Sequence, residues 1–184
     1  EGLEQTLPLD SLGNSLPALA LFVGAGFLLT FLVQSSSAAM AITLSLAASG
    51  AISLLAAGAL VIGANLGTTS TAVMAALSAT SNAKRIAAAH VIFNLITGIV
   101  GLLALMVIGL TWDGSTSSEQ YVTALALFHT AFNLIGVALM WPLTDKLETL
   151  LKKRFKTRSA KQGLATYLDK TILSTPSLAV EAMR

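Results

Sequence analysis

Gln34-Ser35-Ser36-Ser37 stands in a stretch that carries no Asp, Glu, Lys or Arg between Asp10 and Lys84. Amide and hydroxyl groups at membrane depth cost free energy unless they bind something. Loose backbone is tolerated there only where it is buried in protein or lines a cavity. A second polar cluster, Asn65-Leu66-Gly67-Thr68-Thr69-Ser70-Thr71, repeats the layout. Ser35-Ser36-Ser37-Ala38-Ala39-Met40-Ala41 reads against Thr69-Ser70-Thr71-Ala72-Val73-Met74-Ala75, in both cases a hydroxyl cluster and then a short apolar helix. That is the pattern of a solute site in a broken-helix transporter.

The chemistry open to such clusters is binding. Hydroxyl donors, backbone N–H groups and a helix N-terminus, which carries roughly half a positive charge, can hold an anion without Arg or Lys. Ser35–Ser37 are placed to cap a half-helix from Ala38, and Thr68–Thr71 to cap one from Ala72, because Ser and Thr are favoured caps. Two such ends meeting at mid-membrane would form an anion cradle.

The elements that must position these residues are membrane helices. Apolar residues make up 54% of the 184-residue chain, charged residues 11%, and the mean hydropathy is +0.77. A soluble domain carries about a quarter charged residues. Ile86–Trp112 and Tyr121–Thr144 are also free of Asp, Glu, Lys and Arg. The chain is therefore read as an all-α integral membrane protein. There is no cysteine, which excludes disulfides, thiolate metal sites and thiol redox chemistry. The chain opens on Glu1 and not Met, which suggests a fragment or a processed form, and the early apolar run has no basic segment of a signal peptide before it.

Residues 1–15 form a polar, acidic lead. Leu16–Ala48 as a single helix would be about 50 Å long, against a hydrocarbon core of about 30 Å, so it must break. Ala38–Ala48 reaches only about 16 Å, which points to a re-entrant hairpin with Gln34–Ser37 at its tip. Ala51–Leu77 is expected to be a transmembrane helix broken at Asn65–Thr71, where Gly67 permits unwinding and Asn65 can satisfy freed backbone groups. The Gly63-x-x-x-Gly67 spacing marks helix contact or unwinding more than a dimer motif. Two full spans follow, so residues 16–143 form the transmembrane unit.

The full spans repeat each other, with His90-x-x-Phe93-Asn94 in the first and His129-x-x-Phe132-Asn133 in the second. Residues at i, i+3 and i+4 share a helix face, and Thr97, Gly101 and Gly136 extend it, so these stripes should face protein. His90, Asn94, His129 and Asn133 are read as structural groups that support the site from behind, the histidines as neutral donors bridging helices.

Lys152, Lys153, Arg154, Lys156, Arg158 and Lys161 place the tail in the cytoplasm by the positive-inside rule and suit membrane head groups, with no indication of nucleic acid. Counting back, the Asp113–Gln120 loop lies outside, Lys84 and Arg85 inside, and the acidic lead outside. Residues 144–184 divide into an amphipathic interfacial segment around Leu147, Leu150, Leu151 and Phe155 and a linker over Thr166–Arg184.

These motifs resemble the type II sodium–phosphate cotransporter family. The matching text is Leu32-Val33-Gln34-Ser35-Ser36-Ser37-Ala38, then Gly63-Ala64-Asn65-Leu66-Gly67-Thr68-Thr69, then the His-x-x-Phe-Asn spans; Ser174–Arg184 resembles the lead into the PhoU-like cytoplasmic domain of bacterial members. The resemblance covers nearly the whole chain. It implies one of two inverted repeats, the second, with the other half of the solute site supplied by the first repeat or by a second copy of this chain.

It further implies sodium-coupled symport of inorganic phosphate across the plasma (inner) membrane. Phosphate would be held by Ser35, Ser36, Ser37, Thr68, Thr69 and Ser70. Sodium, the co-transported ion and not a cofactor, would be held by Gln34, Ser35, Asn65, Thr68 and Thr69. No other cofactor and no transition metal is expected. Burying a dianion here without cations would cost many kcal/mol, and that cost is the physical basis of coupling.

Two other classes fit the residues less well. An intramembrane hydrolase would pair a serine with His129, but there is no Gly-x-Ser-x-Gly elbow and no oxyanion motif. A passive channel or scaffold would not accumulate solute against a gradient. Within the transporter class, sulfate or a dicarboxylate could replace phosphate.

Overall fold

A computed structural model describes residues 15–111 and 118–156. The expected lead, most of the Asp113–Gln120 loop and the Thr166–Arg184 linker fall outside the described residues. The described chain is helical: α1 Leu16–Val33, α2 Ser36–Ala48, α3 Leu54–Ala76, α4 Ser81–Thr111, α5 Ser118–Met140, a 3-10 turn at Trp141–Leu143 and α6 Thr144–Arg154. Helices α1, α3, α4 and the one following Gln120 are long and apolar enough to cross a membrane. The protein is a multi-pass, all-α membrane protein.

The first break falls where the polar cluster sits. Gln34 closes α1 in the left-handed region (φ 56°), with its N–H donating to the Thr30 carbonyl at 2.8 Å. Its side-chain amide donates to the Phe31 carbonyl, which satisfies another orphan group of the helix end. Left-handed backbone suits glycine, so a glutamine here costs about 1–2 kcal/mol and points to a use for its side chain. Ser35 then opens α2 as its N-cap, with Oγ accepting from Ala38 N–H at 3.2 Å. The cap thus begins α2 at Ser36, two residues before the expected Ala38. At 13 residues, α2 reaches about 20 Å and is too short to span. α1, at 18 residues, has the length of a full span.

The second break does not occur. α3 runs unbroken through Asn65–Thr71, so no half-helix starts at Ala72 and Thr68–Thr71 cap nothing. The reason lies in the hydroxyls. Thr68, Thr69, Ser70 and Thr71 each donate to the carbonyl three residues back, at 2.7–2.8 Å, and so hold on to the helix they were expected to loosen. Gly67 has a different task. A Cβ there would lie 2.6 Å from Thr30 Cβ and 2.9 Å from the Phe27 carbonyl oxygen, so its bareness serves close approach and not unwinding.

α3 is the core of the bundle. Every residue from Leu54 to Ala64 is buried, which a helix rich in Ala, Gly and Leu permits on all faces. α1 packs along it with backbones nearly in contact: a Cβ on Gly26 would meet the Leu60 carbonyl oxygen at 2.1 Å, and one on Gly63 the Val23 carbonyl oxygen at 2.0 Å. The Gly63-x-x-x-Gly67 spacing is therefore a helix contact, one of its two expected meanings. α2, α4 and α5 complete the ring around α3. The His-x-x-Phe-Asn faces turn toward protein, Asn94 and Phe132 buried and His90, Phe93, His129 and Asn133 half-buried, with Thr97, Gly101 and Gly136 at the junction of α3, α4 and α5. The amphipathic tail segment forms α6, whose inward stripe carries buried Leu151 and half-buried Leu147 and Phe155. Its end is tied to α4: the Arg85 guanidinium donates to the Phe155 carbonyl and Ser81 Oγ to the Lys156 carbonyl.

Candidate functional site

The N-terminus of α2, the middle of α3 and the middle of α5 enclose a cavity of about 340 Å³ lined by Ser36, Ser37, Met40, Ala41, Leu44, Ala64, Asn65 and His129. The fold thus brings one polar cluster, through Ser36 and Ser37, against the first residue of the other. Ser35 anchors the rim as the cap of α2 and spends its oxygen on Ala38 N–H. Ser36 and Ser37 make no side-chain hydrogen bond among the described residues, so their O–H groups are open to a guest. Beside them the N–H groups of Ser36 and Ser37 have no acceptor within the helix, since the first turn leaves its donors unpaired, whereas those of Ala38 and Ala39 are taken by Ser35. An anion accepting from these groups would meet fixed donors and the positive end of a helix dipole.

Thr68, Thr69 and Ser70 are placed differently. They continue α3 beyond Asn65, outside the cavity wall, with their protons already given to helix carbonyls. A hydroxyl whose proton is committed still has lone pairs, so these oxygens are suited to accept a donor or ligate a hard cation, and not to donate to an anion. Thr68 and Thr69 share the face of Asn65 at i+3 and i+4. Gln34, at the end of α1, is exposed and holds the Phe31 carbonyl.

The two Asn-bearing faces fold alike. Asn94 Nδ2 donates to the His90 carbonyl at 3.0 Å, and Asn133 Nδ2 to the His129 carbonyl at 2.9 Å. Asn94 is buried and Thr97 Oγ1 donates to its carbonyl. Neither imidazole makes a hydrogen bond among the described residues, so the expected histidine bridges are not formed. Asn133 provides the bridge instead: its Oδ1 accepts from Asn65 Nδ2 at 3.5 Å and links α3 to α5. His90 stays away from the cavity, whereas His129 stands in its wall with its ring edge-on to Phe132 at 5.4 Å.

The motif alone gives His129 a supporting place, because nothing linear tells which helix face meets a cavity. Thr30 stands in no motif that would single it out. It is 3% exposed, its Oγ1 has no hydrogen-bond partner among the described residues, and it packs across from Gly67. A buried orphan hydroxyl asks for an explanation. Its one sequence signal was position, one helical turn before Gln34.

With this geometry in hand, comparison with known proteins is decisive about kinship. Residues 14–140 match the family model of the Na+/Pi-cotransporter. The chain belongs to the Na+/Pi-cotransporter family. Among its relatives, YqeW of Bacillus subtilis (strain 168) is 36% identical over 126 residues, 68% of this chain and 40% of YqeW. The proposed inorganic phosphate export protein YjbB of Escherichia coli (strain K12) is 31% identical over 157 residues, 84% of this chain and 28% of YjbB. The human sodium-dependent phosphate transport protein 2B is 45% identical over 86 residues, 45% of this chain and 12% of that protein. The matched part is thus less than half the length of each of these relatives. No solved structure matches. The family is one of transporters and not of hydrolases.

Proposed function

We propose that this chain forms one half of a sodium-coupled phosphate symporter, with phosphate bound at the N-terminus of α2 and sodium beside it along α3. The observation that carries the reading is the cavity in which Ser36, Ser37, Asn65 and His129 converge from three helices. Phosphate takes the free donors: the Ser36 and Ser37 hydroxyls and backbone N–H groups, the Asn65 Nδ2–H not given to Asn133, and a ring N–H of His129. Sodium takes the lone pairs: Thr68 and Thr69, whose protons face the helix, the Gln34 and Asn65 carbonyls, and Thr30. Ser35 serves this scheme as a cap, and Ser70 as a reserve oxygen on the cation side. For every residue but Thr30 the division follows from where its proton already points; Thr30, orphaned across from Gly67, is assigned to the cation because it lies one turn before Gln34.

No Lys or Arg lines the cavity, so the anion is stable there only with cations beside it. Each solute thus raises the affinity for the other, which is what symport requires. The Gln34–Ser37 connection acts as the tip of a hairpin entered from the outside, with the basic end of the bundle in the cytoplasm. The remaining half of the site comes from the first repeat or from a second copy. Uptake of radiolabelled phosphate into proteoliposomes holding the intact protein, with sodium or with potassium outside, tests the scheme. Sodium-independent uptake would sink it.

The name of YjbB favours one further reading, phosphate export. A symporter is reversible, and the gradients set its direction. Preloaded vesicles should then release phosphate when internal sodium exceeds external sodium. Retention of the label would exclude that direction.

Two variants separate the roles. Thr30→Val keeps the shape and removes the orphan hydroxyl. If Thr30 only packs, the change is neutral or stabilising; as a sodium ligand its loss should raise the sodium concentration for half-maximal uptake several-fold, with melting temperature unchanged or higher. His129→Phe keeps the ring against Phe132 and removes the donor. It should raise the KM for phosphate about tenfold, the worth of one hydrogen bond to a charged group, while leaving sodium dependence intact.

A further inference from the structure

At the basic end of the bundle a second cavity, of about 420 Å³, opens between the end of α3 and the first turns of α4, with Phe155 as its roof. Its walls are apolar, with Val73, Leu77, Ala88 and Val91 prominent among them, and one cation stands at its edge, Lys84. The Lys84 ammonium has no hydrogen-bond or ion-pair partner among the described residues. The carboxylates described at this end are Asp145 and Glu148, and Glu148 is occupied by Lys152 at 2.7 Å. The roof is fixed in place, because Arg85 and Ser81 hold the carbonyls of Phe155 and Lys156.

We propose that this groove binds one anionic glycerophospholipid, an acyl chain lying against Val73, Ala88 and Val91 and the phosphodiester meeting Lys84. Charge complementarity selects that occupant. A neutral lipid or an apolar helix would fill the groove but leave the ammonium without a counter-charge at the membrane boundary, where a lysine extends toward the head groups. A free phosphate ion would satisfy the ammonium but leave the apolar walls uncovered. Only an amphiphile with a negative head answers both. Basic pockets between membrane helices are known to hold such head groups. The site is separate from the α2–α3–α5 cavity and does not depend on what that cavity carries.

The test is lipid binding to the intact, delipidated protein in detergent, followed by native mass spectrometry with phosphatidylglycerol and phosphatidylcholine. The wild type should retain phosphatidylglycerol in preference to phosphatidylcholine. Lys84→Gln should weaken phosphatidylglycerol binding about fivefold, the worth of one basic residue at an anionic surface, and leave phosphatidylcholine unchanged. Ala88→Phe, which fills the groove, should weaken both lipids, while Lys153→Gln on α6 should weaken neither. Equal binding of the two lipids, an unaltered Lys84→Gln protein, or loss confined to the Lys153 variant would overturn the proposal. So would a photoreactive side chain at position 91 that crosslinks to protein and not to lipid, since the groove would then be a protein interface.

Discussion

Replacing Ser36 and Ser37 together by alanine should abolish phosphate uptake while leaving the helix they stand on intact. The two hydroxyls are the free side-chain donors of α2 in the cavity wall. A hydrogen bond to a charged group contributes about 1.5–3 kcal/mol, so losing two should weaken phosphate binding by about a hundredfold or more. Stability should hardly move, because alanine is the better helix former and the cap belongs to Ser35. Ser35→Ala should do the reverse in part, destabilising the start of α2 by about 1 kcal/mol through loss of the cap. Uptake in proteoliposomes and melting in detergent, measured on the same preparations, read the two effects apart. Wild-type uptake in the double variant would remove the proposed phosphate site from α2.

Gly63→Ala should prevent α1 from seating on α3. The added carbon would lie 2.0 Å from the Val23 carbonyl oxygen and 2.8 Å from Phe27 N. Those are backbone atoms and cannot step aside as a side chain would. Overpacking where neighbours can yield costs about 1–3 kcal/mol, so the cost here should lie at or above the top of that range. The expected result is a sharply lowered melting temperature or failure to accumulate in the membrane. Gly24→Ala is the control. It sits in the same apolar stretch of α1 with nothing within 4 Å of the new carbon, so it should be neutral or stabilising. Equal behaviour of the two variants would mean that α1 does not pack on α3 at this distance.

These two predictions rest on different sources of information. The serine cluster was legible in the sequence, because four polar residues in a charge-free run are costly unless they close a helix, open another or bind a solute. Gln34 and Ser35 do the first two. The transmembrane character, the place of the first break, the protein-facing His-x-x-Phe-Asn stripes and the family likeness were all legible for the same reason, since each follows from residue type and local spacing. The apparent twin of the cluster misled. Thr68–Thr71 look like Ser35–Ser37 in text, yet hydroxyls in mid-helix can return their protons to the carbonyls three residues back, and there they support the helix. Whether a Ser or Thr caps or back-bonds depends on the backbone it finds itself in, which a linear pattern does not specify.

What the sequence by itself determined is therefore local and compositional: a membrane protein of apolar helices, a helix end at Gln34, and hydroxyl, amide and imidazole groups as the polar side chains of its apolar spans. What tertiary structure decided is which of those groups meet. It turned the bare flanks of Gly26, Gly63 and Gly67 into a contact between α1 and α3, set the free donors of Ser36 and Ser37 opposite Asn65, and brought His129 from a face that looked structural into the same cavity. The physical reason is distance along the chain. Caps and helix ends are settled within a few residues, whereas a cavity wall is assembled from helices whose mutual rotation is fixed only when their surfaces pack.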